Sequence, residues 1–198
     1  MDAAGQYALA YSLTTAAGVR AMLALALVSV ATHFGLLHPP EMFAWLASPT
    51  SMWILIGIAA AEVFADKIPL VDHVLHIAQA VVKPAAAAII VGGTVHAQNN
   101  EMLIFLMVVG ALNALGVHAG VATVRGASTA TTGGIANPFI STAEDAGAVG
   151  ITVFAFVLPV VTAVVLIIAV AGLFVVLRKL RRHGGAYESG GSHGLQNR

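Results

Sequence analysis

Residues Ile151–Leu177 read ITVFAFVLPVVTAVVLIIAVAGLFVVL, without one charged side chain. A barrel strand crossing a membrane would alternate apolar and polar residues over about ten positions. This run does not alternate, and it is longer than the ~20 residues that a helical crossing needs. Pro159 divides it, because proline lacks the amide proton that the helix requires. The stretch therefore reads as a long kinked helix, or as two segments with the first partly re-entrant. The rest of the chain agrees. Of 198 residues, 59% are hydrophobic and 9% charged, and the mean hydropathy is +0.90. Soluble domains carry roughly 25% charged residues. The fold class is all-α, a polytopic integral membrane protein.

Working back from that run, the first apolar segment extends from Tyr7 to Leu37, interrupted by Gly18 and Arg20. An arginine in the bilayer core costs about 2.5–3.5 kcal/mol on insertion scales. Arg20 is therefore expected near an interface or facing a polar interior, with a short helix Tyr7–Ala17 before a span, or within one long tilted helix. Ser48-Pro49-Thr50 starts a short second span, Ser51–Ala65. A third helix runs over Val71–Val95 with a kink at Pro84, and a fourth over Met102–Ala122. With the last run, about five crossings are expected (four to six), some short or proline-kinked. Met1–Gln6 lack the basic n-region of a signal peptide, so the first apolar helix is expected to direct insertion and stay.

Residues 1–178 read as a single membrane domain. Arg178-Lys179-Leu180-Arg181-Arg182 opens a tail, 179–198, that is basic and then rich in glycine and serine; it reads as disordered and, by the positive-inside rule, cytoplasmic. Counting back places both polar islands described next on the outer side. The formal net charge is zero, so bulk electrostatics call for no nucleic-acid partner. Cysteine is absent, which excludes disulfides, thiolate metal sites and cysteine nucleophiles.

Charge in this chain is gathered into islands. The first is Glu62-Val63-Phe64-Ala65-Asp66-Lys67-Ile68-Pro69-Leu70-Val71-Asp72. Ionisable groups at bilayer depth are costly and by default functional candidates. Glu62 and Asp66, at i and i+4, share a helix face and would repel if both were ionised, unless Lys67, Lys83, Arg20 or Arg125 bridges them. Asp72, His76, Gln79 and Lys83 follow helical spacing on one face. The first island reads as a proton or cation site, or as a salt-bridge network fixing a loop. His73 and His76, at i and i+3, could reach one metal ion together with Asp72. The His-Glu-x-x-His motif is missing.

The second island runs from Arg125 to Asp145. Arg125 to Pro138 reads as a small-residue loop, in which Thr131-Thr132-Gly133-Gly134 could offer backbone amides as an anion nest. Asn137-Pro138 reads as a helix start, with Ser141 and Glu144 spaced as a capping box. Asp145 is not needed for that, which makes it the more informative acid. The nucleotide-binding Gly-x-x-x-x-Gly-Lys-Ser/Thr and the hydrolase Gly-x-Ser-x-Gly are both absent, and no cofactor is expected.

At the islands the sequence resembles a bacterial membrane family catalogued as domain of unknown function 4126. The resemblance rests on Gly18-Val19-Arg20, on Glu62-x-x-Ala65-Asp66-Lys67-Ile68-Pro69-x-x-Asp72, and on Gly133-Gly134-x-Ala136-Asn137-Pro138-x-x-Ser141-x-x-Glu144-Asp145. It covers roughly residues 5–178. It implies a multi-pass domain of the bacterial inner membrane and no established activity.

Three functional readings follow. The first is a small-solute or ion permeation protein, a transporter or channel, whose ion or solute site comprises Glu62, Asp66, Lys67, Asp72, His76, Arg125, Asn137, Glu144 and Asp145. Short spans, kinking prolines and polar islands suit a translocation site. The second is a non-catalytic scaffold or accessory subunit of a larger membrane complex, or a homo-oligomer, and the third a membrane enzyme acting on lipid head groups. A non-enzyme is the stronger expectation, and the lipid bilayer is the one partner common to all three readings.

Overall fold

The first helix is built almost wholly of small and hydroxyl-bearing residues, and this composition puts it at the centre. α1 (Ala3–Val19) begins where the Asp2 carboxylate accepts the Gly5 amide at 2.9 Å. Leu9, Leu13, Ala16 and Ala17 on it are fully buried. The hydroxyls of Ser12, Thr14 and Thr15 return to carbonyls of the preceding turn at 2.8–3.0 Å, so they can be buried without a penalty.

The computed structural model describes residues 1–65 and 69–190, with side chains described at 1–65, 78–172, 175 and 178. Among the described residues there are seven α-helices and one 3-10 helix. After α1 come α2 (Ala21–His33), the 3-10 helix Glu41–Ala47, α3 (Pro49–Ala65), α4 (Pro69–Thr94), α5 (Asn100–Thr132), α6 (Asn137–Val157) and α7 (Pro159–Gly190). They form two units, Met1–Ala163 and a second beginning at Val164.

In the first unit α1 packs against α2, α4, α5 and α6. Close approach at α5 depends on Gly18: a β-carbon there would lie 2.6 Å from Val117 Cβ and 2.7 Å from the Ala114 carbonyl oxygen. Small residues at such crossings are how helices associate when lipid supplies no hydrophobic drive. Asn113 of α5 adds polar attachment, donating through Nδ2 to Thr14 Oγ1 and Thr15 Oγ1, both at 2.9 Å. The 3-10 helix is tied to α2, with Ser29 Oγ donating to the Leu46 carbonyl at 2.6 Å and His33 Nδ1 lying 2.9 Å from the Ala47 carbonyl.

By length and composition α5 and α6 can cross a membrane, and the 3-10 helix with α3, bent by 66°, can form a third, broken crossing. Ala21–His33, Ala78–Thr94 and Pro159–Gly172 are shorter apolar helices. Large apolar side chains face outward, among them Trp53, Phe105, Leu112 and Phe154, as lipid contact requires and a water-facing surface does not. The chain is an all-helical membrane protein.

Several boundaries differ from the sequence reading. The expected loop Arg125–Pro138 is helical as far as Thr132, because α5 ends only where Gly133 takes the left-handed conformation (φ 62°) that glycine adopts without strain. Gly134 follows at φ 87°. The last apolar run is two helices, divided at Leu158 just before Pro159. α7 continues past Arg178 to Gly190, beyond the point where the sequence reading ended its last span.

Candidate functional site

The site begins at a break. Arg20 separates α1 from α2 in an extended conformation (φ −138°, ψ 99°) and is 1% exposed. Its guanidinium reaches the first turns of α6. Nη2 donates to Ser141 Oγ at 2.7 Å and to the Ser141 carbonyl at 3.2 Å. Nε lies 2.8 Å from Asp145 Oδ1, and Nη2 3.4 Å from Glu144 Oε2. Because α6 starts at Asn137-Pro138, residues 141, 144 and 145 fall at i, i+3 and i+4 and share one face. Glu144 also receives Arg125 from α5, with Nε to Oε1 at 2.9 Å and Nη2 to Oε2 at 2.6 Å. That is the bidentate geometry that makes an arginine–carboxylate pair strong and directional.

A second group lies on the same unit. Glu62, 8% exposed at the end of α3, accepts the Met22 amide at 3.1 Å and the Gln79 amide side chain at 3.4 Å. Its carboxylate therefore serves the open N-terminus of α2, where unpaired amides and the helix dipole favour an anion. On α4, Lys83 is 1% exposed, and its Nζ lies 3.0 Å from His118 Nδ1 of α5. The Lys83 ammonium is within Coulombic range of Glu144, Glu62, Arg20 and Arg125, which joins the two groups into one cluster. Among the described residues it sets Arg20, Lys83 and Arg125 against Glu62, Glu144 and Asp145. A cavity of about 290 Å³ lies between α2, α3 and α4, lined by Glu62 and Gln79 with Met22, Ile58, Ala65 and Val82.

A family model described as a domain of unknown function, DUF4126, matches residues 7–179. The chain belongs to this family. The DUF4126 match takes in every residue of the cluster, from Arg20 to Asp145. Neither the curated proteins nor the solved structures contain a match to the chain.

Of the site residues read from the sequence, Glu62, Arg125, Glu144 and Asp145 sit in the cluster of this DUF4126 domain. Asn137 stands apart from it, donating to Thr129 Oγ1 at 3.0 Å. Asp66 and Lys67 lie outside the described residues, and Asp72, His73 and His76, which are the metal candidates, lie in α4 outside the described side chains. Among the described residues no group of three metal-ligating side chains occurs. In the glycine turn, Thr131 Oγ1 and Thr132 Oγ1 donate to carbonyls of Ala127 and Ser128 at 2.8–3.2 Å. The amides of Ile135 and Asn137 go to the carbonyls of Thr132 and Gly134, and that of Ala136 to Thr132 Oγ1 at 3.3 Å. Thr131-Thr132-Gly133-Gly134 thus closes α5 and turns the chain. Ser141 and Glu144 are not a capping box: Ala136 holds the cap position and both side chains point to arginines.

In the sequence His118 is a single histidine near a helix end and carries little weight, and Lys83 stands only among the polar residues of one helix face and as a possible bridge to the acids. Their signal is periodic. The buried residues of α5 are Gly110, Ala114, His118 and Arg125, spaced by four, four and seven, so a histidine and an arginine two turns apart lie on the face carrying the close-packing glycine.

Proposed function

We propose that this DUF4126 chain is a small-ion permeation protein of the bacterial cytoplasmic membrane. The observation that carries the reading is the convergence of ionisable side chains from α3, α4, α5, α6 and the α1–α2 break on one buried cluster. Membrane proteins keep such groups where an ion or proton must be handled, since desolvating them is otherwise costly. The cavity at Glu62 supplies an approach. Glu62, with Asp66 and Asp72 of the same island, would take up the cation or proton, and Arg125 would hold Glu144 in register. We count Ala21–His33 and Ala78–Thr94 as crossings alongside α5, α6 and the bent pair, with Pro159–Gly172 continuing the last run. This gives four to six spans, five in our count, in one membrane domain over 1–178 with its basic tail in the cytoplasm.

A second reading has its own support. The Arg125–Glu144 and Arg20–Asp145 pairs neutralise each other locally, as ion pairs that only fasten helices would, and this suits a scaffold or accessory subunit. One experiment separates the two. Purified protein in liposomes is assayed for flux of protons, monovalent and divalent cations and small anions, beside Glu62→Gln. Permeation predicts a flux in wild type that the substitution removes while the protein remains folded. Folded wild-type protein that moves nothing, and that co-purifies from membranes with a stoichiometric partner, rejects permeation in favour of the scaffold.

A further inference from the structure

Lysine and histidine side chains in direct contact hold a definite number of protons. Lys83 Nζ and His118 Nδ1 are 3.0 Å apart and both residues are buried. With both groups protonated, two cations would face each other with no lone pair between them, so the contact requires one nitrogen to accept. We infer that Lys83 and His118 form a proton-binding site in which a single proton is shared between α4 and α5. On the permeation reading, on which this second step rests, the proton is then the ion that moves.

The surroundings fit that role. Glu62 of α3, Glu144 of α6, Arg20 at the α1–α2 break and Arg125 of α5 lie within Coulombic range of the Lys83 ammonium. These two anions and two cations offset each other, so the pair's own charge is the one that changes when its proton is lost. On α4 its neighbour one turn earlier is the neutral Gln79, bonded to Glu62; Asp72 and His76 lie outside the described side chains. In the transfer, an Nζ–H bond of Lys83 breaks and an Nδ1–H bond of His118 forms, with the charge of the pair unchanged. The Nε2 proton passes to water and leaves a neutral imidazole beside a neutral amine. A half-turn of the ring brings the bare Nε2 to Nζ, and the amine, taking up a proton from the Glu62 side, again donates to the imidazole, so the pair is restored with its ring nitrogens exchanged.

Two substitutions separate this from a structural contact. Lys83→Arg keeps the positive charge but fixes its proton, since a guanidinium does not deprotonate in proteins. His118→Gln keeps a hydrogen-bonding side chain that cannot titrate. In liposomes with a pH dye inside, and parallel probes for sodium, potassium and chloride, each variant should lower proton entry about a hundredfold with its unfolding temperature unchanged. Variants that carry protons at the wild-type rate overturn the inference and leave permeation standing. So does a wild type that moves another ion but no protons. If wild type moves nothing, the permeation reading falls, and the site itself is judged by the ¹⁵N signals of the His118 ring in lipid nanodiscs. A ring with one protonated nitrogen at neutral pH, altered by Lys83→Met, upholds the shared proton; a doubly protonated ring overturns it. The same spectrum decides the matter if both variants fail to fold.

Discussion

Replacing Arg20 by glutamine removes the cation from a place water does not reach. Arg20 is 1% exposed, with Asp145 Oδ1 at 2.8 Å, Ser141 Oγ at 2.7 Å and Glu144 Oε2 at 3.4 Å. Breaking a buried ion pair by deleting one partner costs about 3–5 kcal/mol, because the remaining charge is left unbalanced. The partners will not share this loss equally. Glu144 keeps the Arg125 fork at 2.6 and 2.9 Å, so the burden falls on Asp145. For a chain of this size about 2–4 °C is lost per kcal/mol, which predicts a fall of about 6–20 °C in the unfolding temperature. Adding Asp145→Asn should then restore about 0.5–3 kcal/mol, the coupling expected of contacting residues. The assay is thermal unfolding in lipid nanodiscs, followed by circular dichroism, of wild type, both single variants and the double. An Arg20→Gln protein melting within about 2 °C of wild type, or a double variant no more stable than Arg20→Gln, would refute the reasoning.

Gly18→Ala should destabilise by about 1–3 kcal/mol, since its β-carbon meets Val117 and the Ala114 backbone; Gly116→Ala, with open space around it, should gain up to about 1 kcal/mol from helix propensity. Unfolding midpoints of the pair test the α1–α5 crossing, and equal effects would count against it. Asn113→Leu, which loses the bonds to Thr14 and Thr15, should cost about 0.6–1.7 kcal/mol in the same measurement. A cysteine at Ile135, 80% exposed in a chain without cysteine, should react with a membrane-impermeant thiol reagent applied to the outer face. Labelling only after the membranes are broken would invert the proposed topology.

Much of the helical framework could be read locally. The break near Gly18 and Arg20, the start at Ser48-Pro49 and the division at Pro159 follow from the cost of a charge, a cap and a missing amide. The end of α5 did not, because the hydroxyl-rich stretch Ser128–Thr132 looks like loop composition, whereas its threonines bond back to their own helix. Local spacing also misassigned Ser141 and Glu144. Their partners, Arg20 and Arg125, lie on other helices, and pairing across such distances leaves no periodic trace in one chain. Glu62 was recognised as a site acid, but its service to the α2 N-terminus depends on a packing of α2 against α3 that spacing alone does not reveal.

The central position of α1 bears on how the protein is made. α1 leaves the ribosome before α4, α5 and α6, yet those three provide most of its packing surface. Until they arrive, the newly made helix must hold Arg20, Ser12 and Asn113's two threonine partners against lipid or a chaperoning surface. Assembly therefore closes around the oldest segment last, when α6 brings Ser141 and Asp145 to Arg20. A chain stalled before α6 would carry Arg20 without Ser141, Glu144 and Asp145, a mark by which quality control could tell an unfinished molecule from a finished one.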